Sequence, residues 1–331
     1  MKGTMRILFA GTPEPAVASL NALVEAGHNV VGVLTRTDAK VGRKQVLTPS
    51  PVASRATELD LPVIKVDSFQ HDAGQQAISQ IQELSPDIGA VVAYGGILPQ
   101  HVLDLLPNGW LNLHFSLLPA YRGAAPVQWA IINQETETGA AVFQLEAGLD
   151  TGPVFATLKR ALSPGETAGQ VLEDLAAQGA ALLSATLSDI AAGTAVATPQ
   201  QGEMIWAPKI TSQQVKVDPA QPRGVVLGLI NGSYPAPGAW GLLETGDSAP
   251  VRLKFGPALP VHEQPQHELE PGEFLQASNS VFLVCQDGVI ELVEVQPAGK
   301  KMMRAADWAR GVGESTRLQT SLTHPHEFSA H

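Results

Sequence analysis

Short apolar runs alternate with amphipathic stretches along the first third of the chain. Between most of these runs the apolar positions recur with helical spacing, as in residues 17–24. Buried strands that alternate with amphipathic helices are typical of βαβ units, in which helices cover both faces of a parallel sheet. The pattern therefore predicts a Rossmann-like α/β domain with a doubly wound, mostly parallel sheet. Its expected strands are residues 6–11, 29–35, 62–67, 88–94 and 109–115.

The pattern changes twice after this domain. Residues 165–192 form one long Ala- and Leu-rich helical pattern, and a stretch rich in Gly, Pro and Thr follows it, as in a linker. Beyond about residue 210, short alternating runs separated by Gly, Pro and Asp turns are typical of a small β-barrel or sandwich. The expected organisation is a first domain over residues 1–193, a linker over 194–209 and a β-barrel domain over 210–331.

Composition narrows the classes of function. The 331 residues carry a formal net charge of −11, which argues against non-specific nucleic-acid binding by the whole surface but leaves a local basic patch open. The sequence contains no run of about 18 apolar residues that would predict a membrane span. The apolar residues near the N-terminus are better explained by a buried strand than by a signal peptide. The single cysteine, Cys285, excludes an intrachain disulfide and fits a reducing compartment. We expect a cytoplasmic protein with no membrane partner.

Three polar side chains share one face of the last predicted strand. In LNLHFSLLP, residues 111–119, side-chain alternation places Asn112, His114 and Ser116 together, opposite an apolar face. Polar groups on a buried strand need hydrogen-bond partners, and doubly wound folds bind ligands at the carboxyl ends of their strands. A later acid, Asp150, lies in a turn bracketed by glycines. Each feature alone is more often structural than functional, but the combination is far more specific.

Three common kinds of site do not fit these residues. The G-x-G-x-x-G turn of dinucleotide-binding sites is missing after the first strand, where the sequence reads AGTPEPA. No second ligand pairs with His114 at a metal-binding spacing. The G-x-S-x-G elbow of a serine hydrolase is also absent. The sequence therefore predicts neither a nicotinamide cofactor, nor a metal, nor a serine nucleophile.

The combined motifs resemble a known family. LNLHFSLLPAYRGAAPVQWAI followed by ETGAAVFQLEAGLDTGPV is similar to the formyltransferases that use 10-formyltetrahydrofolate. RILFAGTPEPAVASLNAL, VGRKQVLTPSPV and VQPAGKKMMRAADWARG extend the resemblance over nearly the whole chain. The chain looks most like the branch of this family that formylates the free amino group of initiator methionyl-tRNA. The resemblance implies 10-formyltetrahydrofolate as co-substrate, and an OB-like C-terminal barrel that binds tRNA.

Carried over residue by residue, the resemblance implies catalytic roles for Asn112, His114 and Asp150. As a neutral amine attacks the formyl carbon, negative charge develops on the carbonyl oxygen, to which the Asn112 amide and a protonated His114 can donate hydrogen bonds. Asp150 would favour the imidazolium and help to move the proton that the amine loses. This chemistry requires no metal and no covalent enzyme intermediate. The folate-binding run of the family falls on Ser116, Leu117, Leu118 and Pro119.

The sequence departs from the family pattern at three positions. Phe115 follows the histidine where a small residue is expected. Trp129 and Asn231 stand where many relatives carry Arg. These departures concern the details of folate and tRNA contact, and they leave the three implied catalytic residues intact.

A basic segment stands out in this acidic chain. Residues 36–51 contain four cationic side chains against one acid. Most charge runs are solvated loops, but this one is placed at the ligand end of the expected sheet, where it is suited to hold the phosphates of a tRNA acceptor end. The cations of the segment are Arg36, Lys40, Arg43 and Lys44. We expect tRNA contacts at Arg43 and Lys44, and a second contact area at Lys300 and Lys301.

Other acceptors and other classes of function stay open at this point. Glycinamide-ribonucleotide formyltransferases share the Asn-x-His and Asp core but look like single domains. Sugar N-formyltransferases are nearer, but they are not expected to combine this inserted loop with this C-terminal motif. A non-catalytic folate- or RNA-binding relative would not need all three of Asn112, His114 and Asp150. A hydrolase would release formate without any acceptor. A monomer is the expected oligomeric state.

Overall fold

The structure, a computed structural model, describes residues 4–42, 44–245, 249–262, 270–313 and 315–320. The first elements along the chain are β1 (Arg6–Gly11), α1 (Glu14–Glu25), β2 (Asn29–Thr35), β3 (Ala39–Val41), β4 (Val46–Thr48), α2 (Pro51–Glu58), β5 (Val63–Lys65), α3 (His71–Leu84), β6 (Ile88–Val92), α4 (Gln100–Leu103), β7 (Trp110–His114), α5 (Pro126–Ile132), β8 (Glu137–Gln144), β9 (Val154–Ala161) and α6 (Ala168–Ala192). They are followed by α7 (Arg223–Gly232), β10 (Trp240–Thr245), β11 (Val251–Phe255), β12 (Ala258–Pro260), β13 (Phe274–Ala277), β14 (Ser280–Cys285), β15 (Gly288–Leu292), β16 (Glu294–Pro297), β17 (Met303–Arg304), α8 (Ala305–Ala309) and β18 (Thr316–Leu318).

Seven strands form the large sheet, in the order β5-β2-β1-β6-β7-β8-β9. The strands from β5 to β7 are parallel, and β8 runs antiparallel to β7. Ile7 and Phe9 in β1 are fully buried, as expected for a central strand of a sheet that is covered on both faces. The predicted mostly parallel, doubly wound sheet is confirmed, and β1 and β2 have the predicted bounds.

The strand order places the carboxyl end of β7 near the switch point of the sheet. The chain winds from β1 to β2 on one side, and β6 and β7 lie on the other side of β1. Ligands of doubly wound folds bind outside the carboxyl ends of strands at such a reversal. Because β7 ends at His114, the polar residues predicted from the sequence lie at this edge.

Local sequence signals set the starts of the surrounding helices. Ser50 precedes α2, and its Oγ accepts a hydrogen bond from the backbone N–H of Ala53 at 3.0 Å, which caps the helix. Pro126 occupies the first turn of α5, where its missing N–H leaves no helical bond unmade. Both helices therefore begin where the sequence supplies a start signal.

The strands after residue 239 form two antiparallel sheets. One has the order β17-β16-β11-β10-β18, and the other has the order β12-β15-β14-β13. The pairings described within them are antiparallel. Phe255, Leu283 and Val295 are buried to 1% exposure or less, so the inward faces of these strands supply an apolar core. The predicted C-terminal domain of short antiparallel strands is confirmed.

The chain forms two compact units that interleave in sequence. The first unit contains residues 1–122, 139–159 and 172–205. The second unit contains residues 123–138, 160–171 and 206–331. The segments around α5 and after β9 thus belong to the same unit as the C-terminal strands. The division into functional domains at residues 193 and 210 stays a prediction.

The basic segment, residues 36–51, folds in part as a hairpin. Within residues 36–51, expected as a loop, β3 and β4 pair as a two-stranded hairpin whose described side chains are exposed. Arg43 lies outside the described residues, as do residues 321–331 at the end of the predicted barrel domain.

In the part of the chain that the structure describes, α6 alone is long and apolar enough to span a membrane by length and composition. Core helices of water-soluble proteins meet the same two criteria.

Candidate active site

His114 is held from both sides at the end of β7. Its side chain is 7% exposed, and its Nε2 lies 2.9 Å from the backbone carbonyl oxygen of Tyr121. Because a carbonyl oxygen only accepts hydrogen bonds, Nε2 carries the proton of this bond. The other ring nitrogen, Nδ1, lies 3.9 Å from Oδ2 of Asp150. The edge contact with the ring of Phe143 further fixes the plane of the imidazole.

Asn112 lies on the same face of β7 as His114, as the alternation predicts. Strand β7 pairs with β8 so that Asn112 is opposite Phe143, and His114 is opposite Ala141. The side chain of Asn112 is half-buried, and within the described residues it has no hydrogen-bond partner. Its amide group is therefore available to a ligand beside His114.

Asp150 is buried in the turn after β8. The residue is 8% exposed and adopts a left-handed backbone conformation with φ of 52°. Gly152 follows closely, and a Cβ atom at this position would overlap the carbonyl oxygen of Gln144. Only glycine permits this close approach, so Gly152 fixes the path of the turn that presents the Asp150 carboxylate.

The sequence analysis missed three residues around His114 and Asp150: Tyr121, Arg122 and Gln200. Tyr121 contributes a backbone carbonyl, and its left-handed φ of 61° is visible only in a structure. The Nε2 of Gln200 donates to the carbonyl oxygens of Asp150 and Gly152 at 2.7 and 2.8 Å. Arg122 donates to Oε1 of the same glutamine. No local motif marks these roles, because the partners are up to 78 residues apart in the chain.

The predicted folate-binding run forms the turn that follows β7. The Oγ of Ser116 donates to the carbonyl oxygen of Ala120 at 2.6 Å, which closes the turn. Leu118 packs in an apolar cluster with Ala141 and Phe143, and the Leu118–Pro119 peptide bond is cis. Leu117 is the half-buried member of the run. Contact of these four residues with folate stays a prediction.

A cavity of about 530 Å³ opens in the first unit. One part of its wall is apolar and includes Leu103, Leu106 and Trp110. Its polar groups include the carboxylates Asp104 and Glu146, which are exposed to solvent. Its lining includes residues of β7, the strand that carries Asn112, and residues of the segment after β8, which carries Asp150. Among the described residues, no group of three or more His, Cys, Asp or Glu side chains could hold a metal ion.

The basic residues predicted to bind tRNA are exposed where the structure describes them. Lys44 lies in the hairpin segment, and Lys300 and Lys301 follow β16. Arg43 lies outside the described residues. Arg36 pairs with Asp67 at 2.5 Å and also donates to the carbonyl oxygen of Gly95, so it anchors the segment instead of offering a free cation.

The three departures from the family pattern have structural roles. Phe115 is 8% exposed and packs as an apolar residue. The Nε1 of Trp129 donates to the carbonyl oxygen of Pro208 at 2.7 Å. Asn231 is 1% exposed, and its amide bonds to the carbonyl oxygens of Gly165 and Ala258 and to the N–H of Ala258. A buried arginine would not reproduce these paired amide bonds.

Both parts of the chain match known family models. Residues 5–187 match the model described as formyl transferase, and residues 209–313 match the model of the formyl transferase C-terminal domain. The class that the fold and the site define is therefore a formyltransferase.

Curated relatives narrow this class. Methionyl-tRNA formyltransferase from Paenarthrobacter aurescens (strain TC1) is 51% identical over 315 residues, which cover 95% of this chain and 99% of the relative. The corresponding protein of Arthrobacter sp. (strain FB24) is 50% identical and covers 93% of this chain and 97% of its own length. The chain belongs to the methionyl-tRNA formyltransferase family.

Solved structures share the fold at low sequence identity. Methionyl-tRNA formyltransferase from Clostridium thermocellum has a TM-score of 0.53 at 15% identity, and the match covers 78% of this chain and 94% of that one. An N-formyltransferase from Helicobacter canadensis, solved with folinic acid and dTDP-3-aminofucose, has a TM-score of 0.61 at 15% identity, with coverage of 88% and 99%. At such identities the likeness concerns the fold alone.

Proposed function

We propose that this protein transfers the formyl group of 10-formyltetrahydrofolate to the free amino group of initiator methionyl-tRNA, which prepares that tRNA for translation initiation. The observation that carries the proposal is one polar cluster: Asn112 and His114 on one face of β7, with the buried carboxylate of Asp150 beside the imidazole. Relatives of about 50% identity over nearly the whole chain bear the corresponding name. The three residues are assigned here as the catalytic residues.

The two nitrogens of His114 have different surroundings, which suggests how the proton moves. Because Nε2–H is bonded to the Tyr121 carbonyl, Nδ1 is the nitrogen that can take a proton from the attacking amine. The Asp150 carboxylate stabilises the imidazolium that forms. The Asn112 amide donates to the oxygen of the formyl group as it becomes negative.

The bond changes balance without a further reactant. A bond forms between the amine nitrogen and the formyl carbon, and the bond from that carbon to N10 of the folate breaks. The proton that His114 takes from the amine is returned to N10. The products are the formylated amino group and tetrahydrofolate, and His114 is again neutral.

The cavity of about 530 Å³ is proposed to take the ring system of the folate. Its volume lies within the usual range of ligand sites, roughly 300–1,000 Å³. The apolar part of the wall, with Leu103 and the half-buried Leu145, suits a flat aromatic ring, and the carboxylates of Asp104 and Glu146 suit the N–H donors at its edge. Within the run Ser116–Pro119, Leu117 has the side-chain surface for the predicted folate contact.

The tRNA contacts are proposed at two exposed basic areas. Arg43 and Lys44 belong to the segment that carries the hairpin, and Lys300 and Lys301 belong to the C-terminal part of the chain. The described lysines of this set make no ion pair with the described acids, so their charges are available to phosphates. Val46 and Leu47 on β4, close to Lys44 in the sequence, are exposed and offer apolar surface in the same segment.

We further propose that the protein acts as a cytoplasmic monomer without a membrane partner. The single, buried cysteine needs no oxidising compartment. Light scattering during size-exclusion chromatography would test the oligomeric state, since a mass of twice 34.8 kDa would contradict the monomer.

The test of the proposed function is incubation with 10-formyltetrahydrofolate and methionyl-tRNA, followed by mass analysis of the amino acid released from the tRNA. We expect formylmethionine with the wild-type protein and far less of it with His114→Ala. Parallel reactions offer an amino sugar nucleotide as acceptor, or no acceptor at all. Preferred formylation of the sugar, or release of formate alone, would overturn the proposal in favour of a sugar N-formyltransferase or a hydrolase.

A further inference from the structure

The side-chain amide of Gln200 makes hydrogen bonds through both its nitrogen and its oxygen beside the proposed catalytic residues. Its Nε2 donates to the carbonyl oxygens of Asp150 at 2.7 Å and Gly152 at 2.8 Å. Its Oε1 accepts from Nη2 and Nε of Arg122 at 2.6 and 3.2 Å. A primary amide has two N–H donors and two acceptor positions, and all four are occupied here. The side chain therefore joins the Asp150 turn to the segment that contains Arg122.

These bonds close a ring of contacts around His114. Arg122 directly follows Tyr121, whose carbonyl oxygen accepts from Nε2 of His114. The backbone N–H of Arg122 donates to the carbonyl oxygen of Ile205 at 2.9 Å, which ties the same segment to the stretch after Gln200 a second time. Asp150, on the other side of the ring, faces Nδ1 of His114. Gln200 is thus linked to the partner of each nitrogen of the imidazole.

Both of these partners have backbone conformations that need support. Tyr121 has φ of 61° and Asp150 has φ of 52°, a left-handed region that non-glycine residues seldom adopt. Such conformations persist where surrounding contacts hold them, and they cluster at functional sites. In the Asp150 turn, two of the supporting bonds come from Gln200.

We propose that Gln200 is a positioning residue for formyl transfer: it holds the Asp150 carboxylate and the Tyr121 carbonyl at the two nitrogens of His114. This inference rests on the proposed function. Gln200 acts through Asp150 and does not touch the reacting atoms. Its loss therefore lowers the rate of the chemical step more than it weakens binding of either substrate.

Two substitutions separate this role from a purely structural one. Gln200→Ala removes the bonds to both sides, and we expect kcat to fall about 10- to 100-fold, because a misplacement of about 1 Å can cost roughly 10²-fold. Gln200→Glu keeps an oxygen for Arg122 but turns an acceptor toward the carbonyl oxygens of Asp150 and Gly152. We expect this variant to be at least as slow as Gln200→Ala. A glutamine that only anchored Arg122 would instead leave Gln200→Glu active.

Coupling to Asp150 gives a second readout. If Gln200 acts through Asp150, adding Gln200→Ala to Asp150→Asn lowers kcat by less than about threefold, although alone it lowers kcat at least tenfold. Independent effects would multiply and overturn the proposal. The neighbouring Gln201 is exposed, and Gln201→Ala serves as the matched control with wild-type kcat. Thermal unfolding checks that the variants are folded.

The outcome for the wild-type protein separates the two proposals. If the wild-type protein forms formylmethionine and folded Gln200→Ala matches it in kcat, the positioning role is wrong and the proposed function stands. If the wild-type protein formylates a different amine, the same variants are tested with that acceptor, and a loss of kcat still supports the positioning role. If the wild-type protein transfers no formyl group to any amine, both proposals fall.

Discussion

The Nδ1 atom of His114 and the Oδ2 atom of Asp150 face each other at 3.9 Å, beyond the reach of a direct hydrogen bond. Both side chains are at least 90% buried, so little water screens the interaction between them. The other nitrogen of the ring is fixed by the Tyr121 carbonyl at 2.9 Å. The gap between Nδ1 and the carboxylate is therefore suited to a proton donor supplied by the substrate.

The first prediction concerns the two proposed catalytic side chains on β7. Asn112→Ala should lower kcat by about 10²–10³-fold, the usual cost of losing one donor to a developing oxyanion. His114→Ala removes the base that takes the proton from the amine, and should lower kcat by about 10²–10⁴-fold. The side chain of Asn112 makes no hydrogen bond in the described chain, so its variant should keep wild-type stability. Steady-state formylation assays and thermal unfolding measure the two effects.

A histidine outside the site provides the control for this prediction. His101 is exposed on α4, and His101→Ala should keep wild-type kcat. Turnover at the wild-type rate in folded His114→Ala would contradict the assignment of His114 as a catalytic residue.

The second prediction separates the charge of Asp150 from its shape. Asp150→Asn preserves the volume of the side chain and removes the carboxylate that stabilises a protonated His114. We expect kcat to fall by at least tenfold, while the KM for either substrate changes little, because the interaction forms mainly in the transition state. Unchanged kcat would leave Asp150 with a turn-forming role alone.

How much of this site could be predicted depends on how local each signal is. Strand β1 spans the predicted residues because Ile7 to Ala10 form a continuous apolar run, and alternation along β7 correctly placed Asn112 beside His114. The contribution of Gln200 could not be predicted, since it depends on bonds to carbonyl oxygens 50 and 48 residues away. Backbone carbonyls carry no sequence signature, so these long-range bonds emerge only from the fold.

The inserted segment shows a different limit of the sequence analysis. Its many charges favoured a loop, but Val41 and Val46 pair across a short hairpin. The cations also proved unequal, because Arg36 is bonded to Asp67 while Lys44 is exposed. Composition identified the basic segment, and only the folded chain shows which charges are already paired.

The third prediction concerns the buried amide of Asn231. It joins Gly165 and Ala258 through three hydrogen bonds at 1% exposure. Asn231→Ala leaves these backbone groups without partners, and an unsatisfied buried group costs about 1–3 kcal/mol. We expect the free energy of unfolding to fall by at least about 2 kcal/mol, as measured by urea denaturation. A change below about 0.5 kcal/mol would contradict this role.

The fourth prediction follows from the base of the hairpin segment. Hydrogen bonds from Thr37 and Arg36 hold the pKa of Asp67 below its ordinary value. A lowered pKa in the folded state means that the carboxylate stabilises the fold above its unfolded pKa of about 4, and that this contribution is lost as the pH falls through the folded pKa. The group is largely exposed, so the effect should be about 0.2–1 kcal/mol.

Asp67→Asn tests this contribution. The free energy of unfolding of the variant should lie below that of the wild-type protein by a constant amount above about pH 5 and approach it below about pH 4. Urea denaturation across this range measures the difference. A difference that grows on acidification would have the wrong sign and would contradict the role of the carboxylate.

The last prediction tests the proposed tRNA contacts. Arg43→Ala and Lys44→Ala should raise the KM for methionyl-tRNA, and kcat should fall as well if the contact orients the acceptor end. The KM for 10-formyltetrahydrofolate should stay within about twofold, because the cavity proposed for the folate contains neither residue. The double variant Lys300→Ala/Lys301→Ala should show the same pattern, whereas Arg310→Ala, which removes an exposed cation already paired with Asp307, should not.

Salt dependence distinguishes phosphate contacts from other effects of these substitutions. Each phosphate contact that is lost should reduce the slope of log KM against log salt concentration by about 0.7–0.9, since one fewer counterion is released on binding. A substitution that merely disturbed the hairpin would raise the KM for tRNA by a similar factor at every salt concentration. Kinetic measurements between about 50 and 200 mM salt separate these outcomes. Equal tRNA parameters and equal slopes for wild type and all three variants would remove both basic areas from the proposed tRNA interface.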